Sequence, residues 1–235
     1  MEEMTRQIVY FRYCGEVNTE KVLRLAKKRA EELGIRTAVI ASETGRSALE
    51  AVAVFRDTSV RLVVVTHYPA TTWGPKGDIP IGLRRPVYAS TLHTLTGNGV
   101  TIVQGTRPFA PPSRSLDWNY PTAEGVVDKT LEVLGAGIKI AIEAAVMATD
   151  AGEVGEGAEI ISCAGTFKGL DTALVVRATP SMRFFKDLEV REIIAKPRCR
   201  VRELPEYTYE NWRGDLSHYY EAETHEPTET DRPQP

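Results

Sequence analysis

The stretch Thr37-Ala38-Val39-Ile40-Ala41-Ser42-Glu43-Thr44-Gly45-Arg46-Ser47-Ala48-Leu49 decides how the rest of the chain reads. An apolar, partly β-branched run ends at a hydroxyl-rich turn with one glycine, and a helix-forming run from Ser47 to Phe55 follows at once. Strand, polar glycine turn, helix is the order in which α/β proteins build an anion site. The first backbone N–H groups of such a helix have no internal acceptor, and the helix dipole favours negative charge beside them. Ser42, Thr44 and Ser47 add hydroxyl donors, Arg46 offers a charged fork, and Gly45 lets the main chain approach a ligand without a Cβ. The plainer alternative is an ordinary strand-to-helix turn in which a Ser or Thr caps the helix. The turn is neither a Walker loop, which would end in Gly-Lys-Ser/Thr, nor a G-x-G-x-x-G dinucleotide fingerprint.

Working outward, Gln7 to Phe11 reads as a first strand, and a helix with the buried stripe Val22, Leu23, Leu25, Ala26, Ala30 and Leu33 leads to Gly34. Ser59 to Thr66 is a third strand, apolar enough to be covered on both faces. A long irregular stretch from His67 to Arg85 follows, then a helix over Pro86 to Leu95 and a fourth strand over Val100 to Gln104. A second long loop, Gly105 to Pro121, leads to the longest expected helix, from Thr122 to about Thr149. Gly135 and Gly137 within it signal a kink or a close approach to another element. Strands are expected over Glu159–Ala164, Thr172–Arg177 and Leu188–Ala195, with a short helical link at Ser181 to Asp187. This alternation argues an α/β fold around a doubly wound, mainly parallel sheet, with ligands beyond the carboxyl ends of its strands. Three strand ends stand out: Ser42 to Ser47, Thr66-His67, and the glycine-rich segment from Ala164 to Ala173.

Length and composition are those of an ordinary globular domain: 235 residues, 42% hydrophobic and 26% charged, enough for a proper core. A net charge of −3 gives no reason to expect nucleic acid, which needs a concentrated basic face. No apolar run approaches the ~20 residues that span a bilayer, and the first residues lack a signal-peptide layout. Cys14, Cys163 and Cys199 form no metal spacing. A cytoplasmic protein with reduced thiols and no membrane partner is expected. The domain is expected over 1–198, with an acidic, Pro-, Glu- and Thr-containing extension over 199–235 that is largely mobile.

The segment Ala38 to Ala48 resembles the strand, loop and helix in the C-terminal domain of pyruvate kinase, where a Thr/Ser-Gly-Arg-Ser/Thr-Ala turn holds a phosphate of the allosteric sugar bisphosphate. The chain has none of that enzyme's catalytic barrel. It is more similar to small stand-alone proteins of pyruvate kinase α/β-domain type, known mainly from archaea. Asn18-Thr19-Glu20, Val65-Thr66-His67, Ala151-Gly152, Gly165-Thr166, Gly169 with Asp171-Thr172-Ala173-Leu174, and Arg191 to Arg198 carry that resemblance. It departs at Tyr68 to Trp73, and at Cys163-Ala164-Gly165 where Gly-Gly is common. The resemblance implies a three-layer α/β/α fold and a bound FMN whose phosphate occupies the glycine turn, with no established reaction. It implies cofactor contacts from Ser42, Glu43, Thr44, Gly45, Arg46, Ser47, Thr66, His67, Gly165, Thr166, Gly169, Asp171 and Thr172, in a protein expected to be a homo-oligomer.

Beside the resemblance, individual residues keep two readings each. His67 either faces a ligand as a hydrogen-bonding or proton-shuttling group or simply caps its strand. Asp171 either orients a ligand group or caps a neighbouring N–H. Glu143, inside the apolar run Ile138 to Met147, must find a donor or protonate, and Arg107 and Lys168 are candidate partners for anionic groups. Trp73 and Trp118 either close over an aromatic ligand or anchor their loops. Metal catalysis and serine hydrolysis find no motif. The leading expectation is therefore an FMN-binding protein, with a sugar-phosphate- or nucleotide-binding regulatory module as the alternative and a scaffold protein as a third class.

Overall fold

The computed structural model describes residues 3–72, 78–110, 112–115, 121–166 and 168–198. The expected extension over 199–235, and Trp73 and Trp118, lie outside them.

In β2 (Thr37–Ala41) the side chains alternate between two cores. Ala38 and Ile40 point to one and Val39 to the other, all three without solvent exposure. The same period of two runs through β3 (Arg61–His67), where Leu62 and Val64 oppose Val63 and Val65, and through β7 (Glu159–Ala164), where Ile161 and Cys163 oppose Ile160 and Ala164. An apolar run with no polar face can only be stable between two layers. One layer is α1 (Thr19–Leu33), α2 (Arg46–Phe55) and α3 (Ala89–Gly97); the other is α5 (Ala136–Asp150), backed by α4 (Ala123–Leu134). Side chains such as Ile40 and Ile161 each contribute about 1.5–3 kcal/mol by leaving water. The result is a three-layer α/β/α fold.

With β1 (Val9–Phe11), β6 (Thr101–Gly105), β8 (Thr172–Arg177) and β9 (Glu189–Pro197), the sheet has seven strands in the order β1-β9-β8-β7-β2-β3-β6. The neighbours β1/β9, β7/β2, β2/β3 and β3/β6 are parallel, and only β8 runs against its neighbours. That reversal has a simple cause. The segment from Gly165 to Asp171 is too short for a crossover helix, which a parallel pair requires.

Two features differ from the sequence reading. The stretch from His67 to Arg85 contains an antiparallel hairpin of β4 (Ala70–Thr72) and β5 (Ile79–Ile81), with Ile79 and Ile81 buried. The expected long helix is divided at Gly135, whose φ of 133° and ψ of 139° interrupt it between α4 and α5. Gly137 does a second job. A Cβ there would lie 2.2 Å from Thr172 Oγ1 and 2.7 Å from Asp171 Oδ1, so the start of α5 rests directly on the start of β8.

The chain leaves β2 through α2 on one face and enters β7, the other neighbour of β2, from α5 on the opposite face. Strand order reverses at that boundary, which is where open α/β sheets leave a crevice.

Candidate functional site

The parallel strands β7, β2, β3 and β6 finish at one edge of the sheet, and a cavity of about 400 Å³ opens over their ends. Ser42, Glu43 and Thr44 enter its wall from the turn after β2, and Ser47 from the first turn of α2. His67 enters from the end of β3, and Gly165, Thr166, Lys168 and Gly169 from the loop between β7 and β8. Thr71, Thr72 and Ile81 of the β4–β5 hairpin, with Arg107 and Ile140, complete a wall that is part polar and part apolar.

The turn after β2 is held in shape by hydrogen bonds. Ser42 N–H donates to Val65 O at 2.9 Å and Gly82 N–H to Glu43 O at 3.2 Å. Glu43 Oε2 accepts from His67 N–H at 2.8 Å and from the Thr66 hydroxyl at 3.1 Å, and Thr66 Oγ1 accepts from Leu83 N–H at 3.2 Å. Glu43 thus pins the turn to β3. Thr66 stands behind the cavity wall rather than in it, lining a smaller void beside it. His67 Nδ1 lies 3.2 Å from the Tyr68 carbonyl. A carbonyl only accepts, so this contact places the ring hydrogen on Nδ1 and leaves Nε2 as an acceptor in the neutral ring.

Lys168 is the cation of the cavity's glycine-loop side and is only 7% exposed. Burial pushes its ammonium down to about 8, against the opposing pull of the Glu43 carboxylate. An anion arriving beside this ammonium favours its charged form.

Besides Thr66, four expected contacts do not line the cavity. Gly45 has φ of 88°, and a Cβ on it would lie 2.3 Å from Thr91 Cγ2 and 2.8 Å from Leu83 Cδ1. It turns the chain and packs under α3. Arg46 pairs with Glu16, lies 3.7 Å from Glu50, and anchors α2 to the turn ahead of α1. Asp171 is wholly buried: Oδ2 accepts from Gly15 N–H at 2.8 Å and Thr166 N–H at 3.0 Å, and Oδ1 from the Thr172 hydroxyl at 2.8 Å. Burial raises its pKa, while hydrogen bonds from Thr166, Gly15 and Thr172 pull it back. Asp171 and Thr172 therefore shape the loop that carries Thr166 and Lys168 and do not enter the cavity wall.

Pyruvate kinase's alpha/beta domain is the family description whose model matches residues 20–176, more than half of the chain. The chain belongs to the pyruvate kinase alpha/beta domain family. Within this family member the described residues bring together eight of the expected contacts, Ser42, Glu43, Thr44, Ser47, His67, Gly165, Thr166 and Gly169, around one cavity. Thr71, Thr72, Ile81 and Ile140 were not foreseen, because a short hairpin and a helix from the other layer bring them in. Lys168 and Arg107, named from sequence as candidate partners for anionic groups, both line the cavity.

The same family member shows less for other chemistry. Among the described residues, no cluster of three or more His, Cys, Asp or Glu side chains could hold a metal. Cys163 is buried in β7, and burial pushes its thiol up to about 12, so it is an inert packing group. Glu143 found the donor its setting required: Oε2 lies 3.1 Å from Arg107 Nη1. Burial raises the Glu143 pKa, opposed by Arg107 and then Lys139, and more weakly by the Phe109 amide, which does not reach hydrogen-bond geometry. No helix among the described residues is long and apolar enough to cross a membrane.

Proposed function

We propose that the cavity at the carboxyl ends of β7, β2 and β3 binds a phosphate ester, and that its ligand is FMN. The observation that carries the reading is that Ser42, Thr44 and Ser47, around the start of α2, and Lys168, from the loop after β7, line one cavity. Hydroxyl donors, an ammonium and the unsatisfied N–H groups of a ten-residue helix are complementary to a phosphate dianion. The cavity lies within the ~300–1,000 Å³ typical of small-molecule sites, and Ala41, Ile81 and Ile140 give it apolar surface for a ring.

FMN, when bound, supplies hydride or electron transfer. The chain's own contribution is to neutralise the phosphate with Lys168, to fix the β2 turn through Glu43, and to present His67 Nε2 as a hydrogen-bond acceptor at the end of β3. The purified protein should be yellow, with a flavin absorption spectrum and FMN in the supernatant after denaturation. A colourless protein that takes up no added FMN, yet melts higher with a sugar bisphosphate, would assign the cavity to a regulatory ligand instead.

A further inference from the structure

One polar group beside this cavity has no use in holding a phosphate. Glu143 is 1% exposed in the middle of α5, and only its Oε2 is engaged by Arg107; its Oε1 is buried without a hydrogen-bond partner. A buried acceptor with no donor is costly, and native proteins rarely retain one unless water or a ligand completes it. Glu143 and Arg107 line a void of about 20 Å³ that shares Ala41, Glu43, His67, Arg107 and Ile140 with the main cavity. Such a void exceeds the ~10–15 Å³ needed for one water. Arg107 carries five N–H donors and also faces the main cavity. It follows β6, whereas Lys168 follows β7, and three strand spacings separate those strands, about 14 Å at the sheet edge. Arg107, held by Glu143, and Lys168 thus reach the cavity from loops on opposite sides of the β2 and β3 ends.

Building on the phosphate reading, we propose that the Arg107–Glu143 pair is a second recognition point, which selects an extended phosphate ester bearing a carbonyl–imide edge. Arg107 donates to the head-group carbonyl. Glu143 is a positioning residue: its Oε2 fixes the guanidinium, and its Oε1 accepts the ring N–H, directly or through the one water that the void can hold.

The test is calorimetric titration of the full chain with inorganic phosphate, ribose 5-phosphate, UMP and FMN, the last two of which carry such an edge. UMP or FMN should bind at least about tenfold more tightly than ribose 5-phosphate, the scale of one charge-assisted hydrogen bond. Arg107→Gln should erase that advantage while leaving ribose 5-phosphate within about threefold of its parent affinity, since the phosphate wall is untouched. Glu143→Gln should cause the same selective loss. The double variant Arg107→Gln/Glu143→Gln, which leaves no buried unpaired charge, should reproduce it if a single variant fails to fold.

UMP showing the advantage while FMN does not bind would support this inference and defeat FMN as the ligand. Ribose 5-phosphate binding as tightly as both head-bearing esters would overturn the inference and leave the phosphate reading standing. So would an Arg107→Gln variant that weakens every phosphate ligand equally, because Arg107 would then belong to the phosphate wall. If the parent binds no phosphate ester at all, both readings fall together.

Discussion

Gly45 has a packing role that its sequence context does not announce. Its place in a hydroxyl-rich turn suggests close approach of a ligand, and the α-hydrogen that a Cβ would replace faces Leu83 and Thr91. Gly45→Ala should therefore destabilise the unliganded protein by roughly 2–4 kcal/mol, combining backbone strain at positive φ with overpacking against α3. Denaturant unfolding without ligand measures this, and parent-like stability would contradict the packing role. Lys168 makes a pH prediction with a definite sign. Only the protonated amine attracts phosphate, and burial holds its pKa down at about 8. Affinity for a phosphate ester should therefore fall as pH rises through about 8, and Lys168→Met should flatten that profile. Without ligand the same shift works in the other direction. Between about 8 and the ordinary lysine value of 10.5 the unfolded chain holds a proton that the folded one lacks, so this group's contribution to stability rises with pH. The hydroxyls of Ser42, Thr44 and Ser47 were legible because they are close in sequence. Lys168 and Arg107 could be named as candidate partners for anionic groups but not placed together, because only the sheet brings the loops after β7 and β6 over the same ends.

At the scale of elements, the longest helical pattern proved to be two helices, and its two glycines divide the labour. Gly135 breaks the helix, and Gly137 lets α5 settle on Asp171 and Thr172. The sequence signalled both possibilities without distributing them, since the contact with β8 lies outside any local window. The two helices are joined by a buried ion pair, Lys139 Nζ to Asp128 Oδ1 at 3.2 Å, with both side chains almost inaccessible. Lys139→Met leaves the Asp128 carboxylate buried beside an apolar side chain and should cost about 3 kcal/mol. The double variant Asp128→Leu/Lys139→Met should return to within about 1 kcal/mol of the parent, because the desolvation cost of both charges disappears. Chemical denaturation of the three variants decides it, and a double variant no more stable than Lys139→Met would contradict the account. The β4–β5 hairpin was hidden for a different reason. Its strands have three residues each and one contains Pro80, too short a pattern for alternation to register.

At the scale of the whole molecule, the sheet was the most legible feature. All seven strands of the main sheet fall on runs that their apolar patterning picks out, because residues such as Val63 and Val64 need cover on both faces. What patterning could not give was the order of those strands, which places β2 between β3 and β7 and so assembles the cavity from segments more than a hundred residues apart. The antiparallel β8 follows from its short connection to β7. The proposed function rests on Ser42, Thr44, Ser47 and Lys168 recognising the phosphate of FMN from around one cavity. The most direct measurement is a paired titration of FMN and riboflavin, followed by flavin fluorescence, in the parent and in Lys168→Met. A charge-assisted contact of about 1.5–3 kcal/mol predicts that FMN binds the parent roughly 10- to 100-fold more tightly than riboflavin, and that Lys168→Met closes most of that gap. Equal binding of FMN and riboflavin by the parent, or an undiminished preference for FMN in folded Lys168→Met protein, would contradict it.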